Sequence, residues 1–247
     1  MKTRYFIIQT DEYAISCKSM MPDSEQIDGV IIGVHGFCGD KESSAIEAVA
    51  KEMVQHRFGL ICFDFPAHGS SEAEDKQLTL KNCIRDFLEV LAYTRNQFPA
   101  TETAVFATSF GGYVTLLCSD ELKDCRLILR SPAVTMPEHI LADIIGVSLD
   151  DYKRIGYTEC GFDRRIKLPY AFYEELQQNS VMNKHFTCEM TVIHGDRDDV
   201  VPREDILAFC RHNPGAELIT VQGADHRYKN PGELEKIVDA VKKTLLR

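Results

Sequence analysis

The chain has 247 residues, 44% of them hydrophobic and 27% charged, an ordinary globular composition that excludes disordered, collagenous and low-complexity classes. Lys and Arg total 28 against 38 Asp and Glu, a net charge of −10 that repels phosphate backbones and anionic lipid, so nucleic acid is not an expected partner. Nine cysteines without a CxxC pair or zinc spacing, a start with no signal-peptide core, and no apolar run near the roughly 18 residues of a membrane span together predict a soluble cytoplasmic protein with free thiols.

In chain order, residues 5–8 and 13–17 read as an entering antiparallel hairpin. Residues 30–34 (VIIGV) are a continuous apolar strand, and 43–57 follow as a helix with Ile46, Val49, Ala50 and Met53 on one face. A strand at 60–63 precedes a long surface helix over 80–98 that stops at Pro99. Residues 103–107 are another buried strand, a helix opens after Ser109, a strand runs over 126–129, and Ser131-Pro132 breaks it. From Pro132 to Thr187 strand signals disappear and the sequence becomes helical and aromatic, with Tyr152, Tyr157, Phe162, Tyr170, Phe172 and Tyr173. Strands at 190–193 and 217–221 and helices at 203–212 and 233–246 complete the chain. Short apolar runs alternating with amphipathic stretches predict an α/β protein with a parallel sheet. The expected organisation is a core of 1–131 and 188–247 interrupted by an inserted helical cap at 132–187.

The strongest local signal for chemistry is Ala107-Thr108-Ser109-Phe110-Gly111, a strand-to-helix turn with serine at its tip. Lifting a serine clear of the sheet brings strand and helix backbones together, which leaves room only for small residues two positions to either side. A helix-capping serine is the alternative. His35-Gly36-Phe37 closes an early strand, where the Phe37 amide can face a developing oxyanion beside that of Phe110. Asp196, Asp198 and Asp199 follow the late strand that ends at His194-Gly195, and His226 lies in a loop after the last strand. The order Ser109, Asp198, His226 suits a nucleophile, an orienting acid and a base, in that order; Asp199 is the second candidate for the acid. A metal site at His194 with these aspartates lacks a second ligand set. His35 and His194 read as strand-end residues bonded to backbone, and Asp64 and Ser70 as braces of the loop that contains His68. Cys38 is a candidate acyl-pocket residue or a small buried hydrophobe. Tyr152 and Tyr157 are candidate substrate contacts, unless the cap aromatics form a core of their own. Asp143, Asp150 and Asp151 read as solvated carboxylates.

The set HGF at 35–37, DFPAHGSS at 64–71, ATSFG at 107–111, HGDRDDVVP at 194–202 and GADH at 223–226 resembles the α/β-hydrolase family. It is most similar to the serine-aminopeptidase-like and monoacylglycerol-lipase-like branch, and HGF-x-G-x-K at 35–41 is similar to bacterial cinnamoyl (feruloyl) esterases. Ala107 stands where the family has glycine. The resemblance implies a mostly parallel eight-stranded sheet with helices on both faces, and a serine hydrolase of small to medium acyl esters, hydroxycinnamates included, acting through Ser109, Asp198 and His226 without a cofactor. Aminopeptidase-like, thioesterase and lysophospholipase activities would use the same groups, and a non-catalytic binding protein of the same fold is the rival of a different class. The expected partner is a small-molecule ester; oligomeric state is not legible.

Overall fold

The computed structural model describes residues 1–137, 147–160 and 165–247; Asp143 and Phe162 lie outside them. The strands are β1 (Lys2–Gln9), β2 (Ala14–Met21), β3 (Gly29–Val34), β4 (Phe58–Phe63), β5 (Glu102–Thr108), β6 (Arg126–Arg130), β7 (Tyr157–Cys160), β8 (Ile166–Pro169), β9 (Met190–Gly195) and β10 (Ala216–Val221). Eight of them form one sheet in the order β1-β2-β4-β3-β5-β6-β9-β10. β2 runs antiparallel to both β1 and β4 and the other adjacent pairs of this sheet are parallel, so the sheet is mostly parallel, with the hairpin at one edge.

The central strands are buried on both faces, and the two-residue side-chain period sorts them into two cores. Ile31, Leu60, Cys62, Ala104 and Phe106 pack under helices α1 (Ser44–Met53) and α7 (Glu233–Leu245). Val30, Ile32, Ile61, Phe63, Val105 and Ala107 pack under α2 (Leu80–Gln97) and α3 (Phe110–Leu117), with α6 (Arg203–His212) farther along the same face. The Thr79 hydroxyl caps α2 by accepting from the Asn82 amide at 3.0 Å. Among the described residues no helix is long and apolar enough to cross a membrane.

The segment between β6 and β9 carries α4 (Leu149–Ile155) and α5 (Tyr170–Gln177). It is not purely helical, as its aromatic sequence suggested: β7 and β8 pair as a separate antiparallel ribbon. Each strand has four residues, with Thr158 and Cys160 turned inward opposite Leu168 and Ile166, too short a stretch for alternation to stand out from helical spacing. Tyr152 is buried, donates its hydroxyl to the Pro169 carbonyl at 2.7 Å and packs against Tyr170 and Tyr173. It joins the same continuous core as the sheet face under α2 and α3.

Candidate active site

Ser109, Asp198 and His226 lie in loops that follow the carboxyl ends of the parallel strands β5, β9 and β10. Ser109 follows β5 with φ 51° and ψ −118°, a conformation that non-glycine residues rarely adopt and that lifts the side chain out of the sheet. Space explains its neighbours. A Cβ on Gly111 would lie 2.5 Å from the His35 carbonyl oxygen and 2.7 Å from that of Val34, so α3 can leave β5 here only with glycine. Ala107 lies in the sheet opposite Val34 and Leu129, and its single methyl is accommodated with full burial. A Cβ on Gly36 would come 3.1 Å from the Ser109 Cβ, so the 35–37 turn passes directly beside the serine. The Phe37 and Phe110 rings meet edge-on at 5.6 Å.

His226 Nε2 lies 3.1 Å from Ser109 Oγ, and its Nδ1 lies 2.9 Å and 3.0 Å from the two oxygens of Asp198. With Nδ1 protonated toward the carboxylate, Nε2 is left to accept from the serine hydroxyl. The Asp198 side chain is sealed from solvent and also accepts from the amides of Val200 at 3.0 Å and Val201 at 2.8 Å. Burial alone would raise its pKa; the hydrogen bond from His226, the positive charge that ring can carry and the Val201 amide outweigh burial and hold it at about 2. The other carboxylates of the loop do different work. Asp199 approaches only the main-chain amide of His226, at 3.5 Å, and Asp196 accepts from the Gly223 amide at 2.6 Å. Asp225 accepts from the amides of Arg227 and Tyr228 and fixes the turn after His226. His194 lies 3.7 Å from Asp198, too long for a hydrogen bond, and burial lowers its pKa, which keeps it neutral.

The turn beside Ser109 is held from below. His35 Nδ1 donates to the Gly36 carbonyl at 2.7 Å, while its Nε2 accepts from the Phe65 amide at 3.1 Å. Lys41 and Asp64, both buried, pair at 2.5 Å; Lys41 also donates to Ser70, and Asp64 accepts from the amides of Lys41 and Ser70. Although burial raises the Asp64 pKa, these donors outweigh it and lower it overall. Sequence reading saw Asp64 and Ser70 as turn braces and missed that Lys41, six residues after His35, ties the two loops together. The available signal was the HGF-x-G-x-K stretch at 35–41, which carries this lysine.

Cys38 follows Phe37 with φ 60° and is partly exposed; its thiol and that of Cys160 on β7 are hydrogen-bonded. Tyr157 is exposed, with Lys167 over its ring. Phe172 of α5 packs 6.0 Å from the Phe37 ring and 5.9 Å from that of Phe110. Tyr113 donates to the Asn179 carbonyl at 2.6 Å and Glu175 accepts from the Leu80 amide at 2.5 Å, so the segment between β6 and β9 is fastened to α2 and α3 as well.

Residues 25–154, just over half of the chain, match the family described as serine aminopeptidase, S33. The fold superposes on Est1E from Butyrivibrio proteoclasticus, solved with ferulic acid bound, with a TM-score of 0.83 and 25% identity over 98% of each chain. The mouse (Mus musculus) mitochondrial palmitoyl-protein thioesterase ABHD10 is 21% identical over 84% of this chain and 72% of its own length. The quorum-quenching protein AidA of Acinetobacter baumannii is 26% identical over 51% of this chain and 43% of its own.

Proposed function

The chain belongs to the serine aminopeptidase (S33) family of α/β-hydrolases and is a hydrolase; from that premise we propose that it cleaves carboxylic esters of small to medium acyl groups, hydroxycinnamoyl groups among them, through an acyl-enzyme on Ser109. The observation that carries this reading is the hydrogen-bond chain from Ser109 through His226 to Asp198, at 3.1 and 2.9 Å. Ser109 Oγ attacks the ester carbonyl as His226 Nε2 takes its proton, and Asp198 holds the ring in the required tautomer and stabilises its positive form. The amides of Phe37 and Phe110 donate to the oxyanion, with the amino-terminal end of α3 adding positive potential. Collapse expels the alcohol, which receives the proton from His226. Water then attacks the acyl-enzyme with the same base, and the acid leaves.

In this reading residues 132–187 form a cap whose Phe172 supports the oxyanion pair, and substrate contacts are to be sought at Cys38 and Tyr157, since the Tyr152 hydroxyl is engaged within the cap. Ferulic acid in Est1E and the thioesterase activity in the name of ABHD10 define the two acyl classes to compare. The test is hydrolysis of p-nitrophenyl acetate, butyrate and octanoate, methyl ferulate and a palmitoyl thioester by wild type and Ser109→Ala. The expected profile favours short and medium esters and methyl ferulate, and is reduced roughly 10⁴-fold or more in Ser109→Ala. Turnover of the palmitoyl thioester alone would replace the ester reading by a thioesterase one. A folded protein inert to every substrate would point to a binding protein.

A further inference from the structure

Residues 130–133, Arg-Ser-Pro-Ala, leave the end of β6, and this one turn is bonded to Ser109, to His226 and to the strand that leads to Asp198. The Ser109 amide donates to the Arg130 carbonyl at 3.0 Å, and the Ala133 amide donates to the Ser109 carbonyl at 3.1 Å. The Ser131 amide donates to the Ile193 carbonyl at 2.8 Å, on the strand that leads to Asp198. Its hydroxyl lies 3.4 Å from the Tyr228 hydroxyl and is among the groups that lower the pKa of the Asp198 carboxylate. Arg130 Nη1 donates to the His226 carbonyl at 2.7 Å, and its guanidinium sits 4.9 Å from the Tyr228 ring centroid.

Two features make this more than chance contact. Ser131 is fully buried at φ 43°, in the left-handed region where a non-glycine residue is strained, and such strain persists only where the surroundings impose it. Arg130 keeps its Nε buried without a hydrogen-bond partner, an unfavourable state that an apolar side chain would avoid. What the arginine adds is its bond to the His226 loop.

We propose that Arg130 and Ser131 are positioning residues, which hold the serine turn, the acid loop and the histidine loop in register for proton transfer. The inference rests on the triad reading above, and its test separates the two. For wild type, Ser109→Ala, Ser131→Ala, Ser131→Gly, Arg130→Met and Arg130→Lys, we would measure kcat and KM for p-nitrophenyl butyrate, the rate of labelling by a fluorophosphonate, and the thermal midpoint. Misplacement predicts that kcat and labelling rate fall together, roughly 10- to 100-fold, in Ser131→Ala, Ser131→Gly and Arg130→Met, with KM within about twofold of wild type. Arg130→Lys should recover part of the rate. Glycine accepts φ 43° without strain, so Ser131→Gly folds in its own right and isolates the hydroxyl: a purely structural Ser131 would leave its kcat at the wild-type value. Wild-type kcat and labelling in Ser131→Gly and Arg130→Met, with wild type labelled only on Ser109, would overturn the positioning role and leave the triad standing. A folded wild type that is not labelled, or a Ser109→Ala variant labelled as fast, would overturn both.

Discussion

Asp198, at the carboxyl edge of the sheet, and Asp86, in α2 beneath the N-terminal hairpin, both have side chains sealed from water, yet their charges are treated in opposite ways. Asp198 receives an imidazole N–H and two main-chain amides, and its pKa is held at about 2 although burial opposes this. Asp86 receives the Tyr13 hydroxyl at 2.9 Å and the Arg85 side chain at 3.1 Å; here burial prevails and the pKa is pushed up to about 6. Main-chain amides are fixed in place by the fold and lose little entropy in bonding a carboxylate, while the Arg85 side chain is partly exposed and its charge is screened. Burial alone therefore does not decide whether a carboxyl group stays ionised. The number and rigidity of the donors around it do, and at the candidate site both are high.

The largest test of this contrast is in catalysis. Asp198→Asn should lower kcat for p-nitrophenyl butyrate by roughly 10³- to 10⁴-fold, as expected when the histidine loses its tautomer-fixing partner, whereas Asp86→Asn should stay within about twofold of wild type. Equal losses would break the comparison. Next comes stability at another buried carboxyl group. Lys41→Met strands Asp64 without its cation and should destabilise the protein by about 3–5 kcal/mol in denaturant melts; a change below about 1 kcal/mol would mean the pair contributes little.

The pH dependence sharpens the contrast, because the two aspartates contribute with opposite sign. The folded-state pKa of Asp86 lies above the ordinary carboxylate value, so the folded state binds the proton more tightly and stability rises as pH falls from about 6 to about 4. The span is about 3 kcal/mol at most, and Asp86→Asn should flatten it. Asp198 is depressed, so its contribution, about 2 kcal/mol at neutral pH, is lost as pH falls from about 4 through about 2. Asp198→Asn should remove that slope. Urea melts at a series of pH values read both effects.

Much of the architecture was legible because strong patterns announced it. The apolar runs at β3 and β5 and the helical spacing of α2 need only local periodicity, and α6 was placed to the residue. The groups that meet at the candidate site were marked by a steric rule, small residues around Ser109, and by loops at strand ends that carry Asp198 and His226. The β7–β8 ribbon was not legible, since four-residue strands carry too little alternation. Nor were the roles of Lys41, Arg130 and Ser131: each acts through a partner distant in sequence, 23 residues away for Lys41 and 96 for Arg130, and no local pattern announces a serine at φ 43°.

The central claim is that Ser109 is an activated nucleophile, and intact-mass analysis of the protein after brief treatment with a fluorophosphonate tests it most directly. The account predicts one adduct per chain, mapped to the peptide that holds Ser109 and absent from Ser109→Ala under the same conditions. A folded wild type that gains no mass, or an adduct that persists in Ser109→Ala, would contradict it.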